Sequence, residues 1–158
     1  MELKFSGEEM KLAQALTDVQ EMHESQPPLI LIVEDNDDNL LLLNYTLESL
    51  GCRLISQKDS STAVVLAKEH LPDLILLDIL MPGLTGIDVI RHLKQEPLTS
   101  NITAIAVTAL ASADDRETIL NAGFDDYISK PYMIEDVENL VRGYLGKKLD
   151  SYSIPNLC

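Results

Sequence analysis

The hydrophobic residues of this chain fall into short uninterrupted runs, and two of these runs end abruptly in carboxylates. Residues 29–33 are followed by Glu34 and Asp35, and residues 74–77 are followed by Asp78. Runs of four or five aliphatic residues without polar alternation are typical of strands covered on both faces, as in a parallel sheet between helices. We therefore expect Asp78 to lie at the carboxyl end of a buried strand, where open α/β sheets bind their ligands.

From residue 29 onward, strand-like runs alternate with helix-like segments five times. The predicted strands cover residues 29–33, 52–57, 74–78, 102–108 and 127–129. A predicted helix follows each strand, at about residues 40–50, 60–71, 86–95, 113–122 and 134–145. Five successive strand–helix units predict an α/β domain with three layers, in which a doubly wound parallel sheet lies between two layers of helices.

The N-terminal segment lies outside this alternation and predicts one amphipathic helix. Ser6 followed by Glu9 fits a capping box, and Phe5 and Met10 are placed as a hydrophobic staple, so we expect a helix over about residues 7–24. Two interpretations of this helix remain open. It docks on its own domain, or it pairs with a partner or with a second copy of the chain, for instance in a homodimer.

The domain boundaries follow from breaks in the pattern. Consecutive prolines at positions 27 and 28 end the N-terminal helix and form a short stiff linker. Beyond residue 145 the chain is short, polar and interrupted by proline. We therefore expect an N-terminal helix and linker over residues 1–27, one domain over residues 28–145 and a flexible tail over residues 146–158.

Composition narrows the choice of partners. The chain has 26 acidic and 12 basic residues and a formal net charge of -14, which disfavours nucleic acid and anionic membranes and favours proteins or cations. No segment approaches the roughly 18 to 20 apolar residues of a membrane span, and no signal peptide is apparent, so we expect a cytoplasmic protein. Cys52 and Cys158 lack metal-type spacing, and we expect both to be reduced thiols.

The residues at the predicted strand ends form a chemically coherent set. Glu34 and Asp35 follow the first strand, and Asp78, Thr108 and Lys130 end or follow the third, fourth and fifth. Three carboxylates at one sheet edge repel one another unless a proton or a cation compensates their charge. Oxygen ligands without histidine or cysteine favour Mg²⁺. A carboxylate nucleophile beside Mg²⁺, an ammonium and a hydroxyl suffices for phosphoryl transfer, so we expect Asp78 to form an aspartyl phosphate.

Four motifs give this chain its resemblance to a known family. They are Val-Glu-Asp-Asn at 33–36, Leu-Leu-Asp-Ile-Leu-Met-Pro-Gly-Leu-Thr-Gly at 76–86, Ala-Val-Thr-Ala at 106–109 and Asp-Tyr-Ile-Ser-Lys-Pro at 126–131. Together they resemble a response-regulator receiver domain of two-component signalling. The resemblance covers residues 28–145 and implies a flavodoxin-like (βα)5 fold with the sheet order 2-1-3-4-5.

The resemblance implies a role for each member of the set. Asp78 is similar to the phosphoacceptor, which takes its phosphoryl group from a histidine kinase or a phosphotransfer protein. Glu34 and Asp35 are similar to the acid pair that holds Mg²⁺ together with Asp78, and the backbone carbonyl of Leu80 is a further ligand. Lys130 is similar to the lysine that contacts the phosphoryl group, and the peptide bond that follows it is cis in the family.

Two further positions resemble the family's switch. Thr108 is similar to the hydroxyl drawn toward the phosphoryl group, and Tyr127 to the aromatic residue that turns inward when the hydroxyl moves. The resemblance implies that the face built from the fourth domain helix, the fifth strand and the fifth helix, over about residues 113–145, then changes shape and regulates a protein partner. It also implies a regulator and not an enzyme, with a homodimer through this face as a further expectation.

Three alternatives remain beside this interpretation. Within the class, the chain is a phosphorelay intermediate or the receiver segment of a hybrid kinase. A Mg²⁺-dependent phosphatase with an aspartate nucleophile is disfavoured, because Leu80 occupies the position where such enzymes carry a second acid. A nucleotide-binding module is also disfavoured, because no Gly-rich phosphate loop follows the first strand. Leu80 and Leu110 are apolar where some fast-hydrolysing receivers are polar, which predicts a long-lived phosphoryl group.

Overall fold

The computed structural model of the chain describes residues 6–110 and 112–153. Its strands are β1 (Leu29–Val33), β2 (Arg53–Gln57), β3 (Leu74–Asp78), β4 (Thr103–Thr108) and β5 (Asp126–Ser129). They form one parallel sheet in the order β2-β1-β3-β4-β5. The predicted doubly wound order 2-1-3-4-5 is therefore confirmed.

Helices connect and flank these strands. They are α1 (Gly7–Ser25), α2 (Asp37–Ser49), α3 (Ala63–His70), α4 (Gly86–Gln95), α5 (Ala113–Ala122) and α6 (Ile134–Ser153), and a single 3₁₀ turn, Ser60–Thr62, precedes α3. Side-chain caps fix several of the helix starts. Thr85 and Ser112 each form a capping box at the start of α4 and α5, which satisfies backbone amides that have no partner within the helix.

Alternate strand residues build two separate cores. Leu31 and Val33 of β1 face one side of the sheet, where they pack with buried residues of α3, α4 and α5. Ile30 and Ile32 face the other side, where they pack with buried residues of α2 and α6. All five residues of β1 and all five of β3 are buried. The uninterrupted apolar runs thus reflect a sheet that is covered by helices on both faces.

The first domain helix begins earlier than its apolar pattern predicts. The pattern places its start at about residue 40, but α2 begins at Asp37, and the Asn36 side chain accepts a hydrogen bond from the Asn39 amide as its N-cap. Asp37 and Asp38 occupy the first turn. Acidic residues stabilise the positive end of the helix dipole, so polar residues that look like a turn belong to the helix.

The predicted end of the last helix at residue 145 is wrong. Helix α6 continues to Ser153, so residues 146–153 are helical and do not belong to a flexible tail, while residues 154–158 lie outside the described part. Leu145 and Leu149 are each 8% exposed and continue the buried stripe at helical spacing. Lys148 binds Asp73 at 2.8 Å, which anchors the extension to the loop before β3.

Helix α1 begins with the predicted capping box, in which Ser6 and Glu9 exchange hydrogen bonds between side chain and backbone. The predicted staple partner Phe5 lies outside the described residues. Every side chain of residues 6–18 is exposed, which argues against the docked interpretation for this part of the helix. Among the described helices, none is both long and apolar enough to cross a membrane.

Candidate phosphoacceptor site

The register of the sheet brings the two acidic strand ends together. Val33 of β1 lies opposite Leu77 of β3, so Glu34 and Asp78, the next residues of each strand, emerge side by side. Asp78 is 4% exposed and Glu34 is 1% exposed. Burying two carboxylates next to each other is unfavourable unless a cation or a proton accompanies them, so their surroundings decide what the site can do.

Lys130 supplies a positive charge to this pair. Ser129 at the end of β5 lies opposite Thr108 of β4, which carries the next residue, Lys130, to the same edge. Its Nζ lies 2.9 Å and 3.2 Å from the two carboxylate oxygens of Glu34 and 3.0 Å from Oδ2 of Asp78. One ammonium thus holds two buried carboxylates in a fixed arrangement. The peptide bond between Lys130 and Pro131 is cis, as the resemblance implies.

The electrostatics of the trio reflect its burial. Burial raises the pKa of Glu34 and the charge of Asp78 raises it further, which outweighs the opposing effect of the hydrogen bond from Lys130. Burial alone lowers the pKa of Lys130, but its hydrogen bonds to Glu34 and Asp78 and their charges outweigh this effect and raise the pKa above its ordinary value. The lysine is therefore held in its charged form.

Asp35 completes an acidic cluster at the surface of the site. One carboxylate oxygen from each of Glu34, Asp35 and Asp78 lies within 4.8 Å of the others, and Asp35 is exposed while the other two are buried. Three carboxylates against one ammonium leave an excess of negative charge that suits a divalent cation with hard oxygen ligands. The residues present therefore fit a Mg²⁺ ion, and the cluster could bind a metal.

The loop after β3 is held close to the phosphoacceptor candidate. The Leu80 amide donates to Oδ1 of Asp78 at 3.1 Å. Gly86 at the start of α4 packs so tightly that a Cβ at this position would lie 2.6 Å from the Asp78 carbonyl oxygen and 2.7 Å from the Ile79 Cα. A side chain at residue 86 would therefore displace the backbone that carries Asp78.

The predicted switch residues belong to two neighbouring strands, Thr108 to β4 and Tyr127 to β5. Thr108 is fully buried at the end of β4, and its hydroxyl oxygen accepts a hydrogen bond of 3.2 Å from the Leu110 amide. Tyr127 is half-buried in β5, and the guanidinium carbon of Arg116 in α5 lies 5.3 Å from the centre of its ring. This distance is in the range of a cation–π contact, so an exposed arginine covers the outer side of the tyrosine.

Two residues beside the acidic cluster were not predicted from the sequence. Asn39 in α2 donates from its side-chain amide to Oε1 of Glu34 at 3.4 Å. Tyr132, two residues after Lys130, has a buried hydroxyl oxygen without a hydrogen-bond partner among the described residues. No spacing or periodicity in the sequence distinguishes these two residues from an ordinary helix polar residue and an ordinary core aromatic.

The structure therefore brings together Glu34, Asp35, Asp78 and Lys130 and places Leu80 directly beside them. Thr108 ends the neighbouring strand, and Tyr127 lies further along the sheet, under α5. The roles of these residues stay predictions.

Comparison with known proteins finds receiver domains that match most of this chain. A family model described as the response regulator receiver domain matches residues 30–142. The polar-differentiation response regulator DivK of Brucella anthropi is 39% identical over 120 residues, which cover 76% of this chain and 98% of DivK.

Solved structures show the same similarity. The receiver domain of sensor histidine kinase PA1611 from Pseudomonas aeruginosa superposes with a TM-score of 0.71 at 33% identity, covering 76% of this chain and 98% of that one, and it has a magnesium ion coordinated in its active site cleft. The chemotaxis protein CheY4 of Vibrio cholerae, at 19% identity, a TM-score of 0.71 and coverage of 75% and 99%, shows the shared fold. The chain therefore belongs to the response regulator receiver family, and it is a phosphorylation-dependent signalling switch.

Proposed function

We propose that Asp78 is the phosphoacceptor of this switch and that Lys130 contacts the phosphoryl group once it is transferred. The observation that carries this proposal is the hydrogen bond of 3.0 Å between Lys130 Nζ and Oδ2 of the buried Asp78. The ammonium stands where negative charge develops during transfer, and fixed positive charge in a partly buried site stabilises that charge. Because Asp78 ends a central strand that is buried throughout, its carboxylate is held rigidly for in-line attack.

A Mg²⁺ ion would be held by Asp35, Asp78 and the backbone carbonyl of Leu80, with Glu34 acting mostly through water. Glu34 already accepts hydrogen bonds from Lys130, Asn39 and the Asn36 amide, so few of its lone pairs remain for direct coordination. Asp35 is exposed, and among the described residues no hydrogen bond to its carboxylate is found, so its oxygens can coordinate the ion directly. When bound, the ion neutralises charge on the phosphoryl oxygens. Phosphoryl transfer to Asp78 then depends on the whole cluster of carboxylates. The protein is a phosphoacceptor regulator and not a classical enzyme.

The signal leaves the site through Thr108 and Tyr127. Phosphorylation replaces the singly charged carboxylate of Asp78 with a dianionic acyl phosphate. Its three terminal acceptor oxygens attract the Thr108 hydroxyl away from its present bond to the Leu110 amide. Movement of Thr108 opens space into which Tyr127 turns, and this breaks its contact with Arg116. The output face, made of α5, β5 and α6 up to residue 145, then changes its shape.

Receiver domains interact with histidine kinases and with downstream partners. For this chain we propose a histidine kinase or a phosphotransfer protein as the phosphodonor, a protein as the downstream partner, and the cytoplasm as the site of action. The output face carries exposed acids at Asp114, Glu117, Glu135 and Asp136, which favours a protein partner over nucleic acid. Onward transfer as a phosphorelay intermediate and a homodimer through α1 or the output face are the alternatives.

The first test is the intact mass of the protein after incubation with acetyl phosphate and Mg²⁺. We expect one phosphoryl group on the native chain and none on Asp78→Asn. Glu48→Gln changes an exposed carboxylate on α2 in the same isosteric way and serves as the control. A phosphoryl group that persists on Asp78→Asn would contradict the assignment. Decay of the adduct after donor removal measures its lifetime, which we expect to exceed minutes because Leu80 and Leu110 offer no polar side chain to orient water.

A further inference from the structure

The N-terminal helix α1 has apolar side chains that the receiver domain does not cover. Every one of residues 6–18 is exposed, and Leu12 and Leu16, one helical turn apart, are each 63% exposed. The linker after the helix is nevertheless held to the domain, because the Pro27 carbonyl accepts a hydrogen bond of 3.0 Å from Nε of Arg53. Over residues 6–18, the apolar surface of α1 is therefore available to another molecule.

The sequence of α1 follows the heptad repeat abcdefg, in which residues at a and d meet a partner helix. With Leu16 at a, the d positions on either side hold Leu12 and Val19, and the next a position holds His23. The e and g positions that flank them hold Ala13, Ala15, Gln20 and Met22. We call these a, d, e and g positions between residues 12 and 23 the seam of α1, and the seam contains no Asp, Glu, Lys or Arg.

The polar residues of α1 lie at the three outer positions of the same repeat. From residue 11 onward, positions b, c and f hold Lys11, Gln14, Thr17, Asp18, Glu21, Glu24 and Ser25. Two of these residues stabilise the outer face of the helix, since the side-chain amide of Gln14 donates to Oδ1 of Asp18 at 2.8 Å. This division into an uncharged seam and a polar outer face is typical of a helix that pairs with another helix.

The charges of α1 indicate which molecule covers the seam. A helix that binds an anionic membrane carries Lys and Arg on its polar face, but α1 has five acidic residues, and Lys11 is its only Lys or Arg. Charges at e and g select one partner helix over another, and the seam has none that would favour a different protein. A second copy of the chain presents the same uncharged seam over the same length, and Ala13 and Ala15 at its edges allow close approach.

We infer that α1 pairs through its seam with α1 of a second copy and that the protein is a dimer joined at these helices. This inference does not rest on the role of Asp78. Helix α1 leads into β1 at the amino end of the sheet, whereas the acidic cluster lies at the carboxyl end. We therefore expect the dimer to form with or without a phosphoryl group.

The size and the charge of the two copies set the expected strength of the dimer. A helix of 19 residues is about 28 Å long, and two such helices bury less surface than a standard interface of about 1,600 Å². We therefore expect a dissociation constant in the micromolar range. Each copy has a net charge of -14, so the copies repel each other, and salt screens this repulsion. Raising the salt concentration from about 0.05 M to about 0.5 M is expected to lower the dissociation constant at least about twofold.

Sedimentation velocity of the full chain, at concentrations from about 1 to about 200 μM, measures this dissociation constant. Leu16→Lys places a charge in the seam of both copies, and we expect it to raise the dissociation constant at least about tenfold. Met10→Lys is the matched control, because Met10 is also 63% exposed but lies at position b, outside the seam. We expect Met10→Lys to stay within about twofold of the native chain.

A second variant and a second measurement separate loss of pairing from loss of folding. Leu12→Lys changes the neighbouring d position, and we expect it to weaken the dimer as Leu16→Lys does. Phosphoryl uptake from acetyl phosphate, measured by intact mass, is expected to be the same in the native chain and in all three variants, because the receiver domain is unchanged.

Three outcomes would overturn the inference. They are a native chain that stays monomeric at about 200 μM, a dimer that persists unchanged in Leu12→Lys and Leu16→Lys, and an equal loss of pairing in Leu16→Lys and Met10→Lys. The last outcome would indicate association through exposed apolar surface in general. Since sedimentation uses unphosphorylated protein, failure of the native chain to take up a phosphoryl group would count against Asp78 and leave the dimer standing.

Discussion

The two ends of the parallel sheet use carboxylates in opposite ways. At the amino end, Asp73 accepts from the Leu29 amide through one oxygen and from Lys148 through the other, each at 2.8 Å. At the carboxyl end, Glu34 and Asp78 share the single ammonium of Lys130, and Asp35 adds a third carboxylate. Where one carboxylate faces one ammonium, the charges balance and the acid joins elements of the fold. Where three carboxylates face one ammonium, the excess negative charge leaves the capacity to take up a cation and a phosphoryl group.

The sharpest test of this contrast exchanges one oxygen for nitrogen at each end. Asp78→Asn is expected to abolish phosphoryl uptake from acetyl phosphate, because the amide is not a nucleophile. Asp73→Asn is expected to leave uptake within about twofold and to lower the free energy of unfolding by about 1 to 3 kcal/mol, since a charged acceptor is lost. Intact mass and urea unfolding of both variants distinguish the two roles. Equal loss of uptake in the two variants would remove the contrast.

The two lysines provide a second matched pair. Lys130→Met is expected to slow phosphoryl uptake by about 100-fold or more, as expected when a donor to the developing charge is removed. Lys148→Met is expected to leave the rate unchanged and to cost about 1 kcal/mol of stability, because its ion pair with Asp73 is partly exposed. Rates from intact-mass time courses and midpoints of urea unfolding report the two effects. A rate loss in Lys148→Met would show that the amino end is coupled to the site.

We expect magnesium to stabilise the folded protein only by binding at the carboxyl end of the sheet. At a concentration ten times its dissociation constant, a bound ion adds about 1.4 kcal/mol to the free energy of unfolding, which corresponds to a rise in Tm of about 4 °C. We expect this rise in the native chain and in Asp73→Asn, and a smaller rise in Asp35→Asn, when Tm is measured in Mg²⁺ and in EDTA. An undiminished rise in Asp35→Asn would exclude that carboxylate as a ligand.

The smallest effect is expected at the amino end, where Cys52 precedes β2. Burial raises the pKa of its thiol to about 11, and the charge of Asp73 adds to this effect. Above pH 9 the unfolded chain loses the thiol proton while the folded chain keeps it, so stability falls as pH rises toward 11. By pH 10 we expect the native chain to have lost about 1 kcal/mol more than Cys52→Ala, relative to pH 8. Urea unfolding at both pH values checks this, and parallel losses in the two proteins would contradict it.

Much of the fold could be predicted because its signals are local. The apolar runs at residues 29–33 and 74–77 have no polar alternation, and this pattern predicts strands covered on both faces. The carboxyl ends of parallel strands meet at one edge of a sheet, which predicts Glu34, Asp78 and Lys130 at that edge, where the structure brings them into contact. The extension of α6 was missed because Gly146, Lys147 and Lys148 hide the apolar spacing that continues to Leu149.

The site was predicted less completely than the fold. The contact between Arg116 and Tyr127 and the unpartnered hydroxyl of Tyr132 depend on how separate elements pack, and no local pattern encodes them. The same holds for Asp73, which is an ordinary polar residue in a loop until Leu29 and Lys148 meet it in the folded chain. The position of a residue at the end of a strand can be predicted from the sequence. A contact between residues of separate elements can be seen only in the folded structure.

The bridge formed by Asp73 also has a use in protein engineering. Because the Leu29 amide and the Lys148 ammonium bind the same carboxylate, the start of the first strand lies near the last turns of the last helix. This contact lies at the end of the sheet opposite the acidic cluster. A host protein could therefore accept residues 29–153, which include the whole of α6, as an insertion in a surface loop through two short glycine–serine connections. The acidic cluster of the inserted domain would remain accessible to phosphodonors. The conformational change that follows phosphorylation would act on the host.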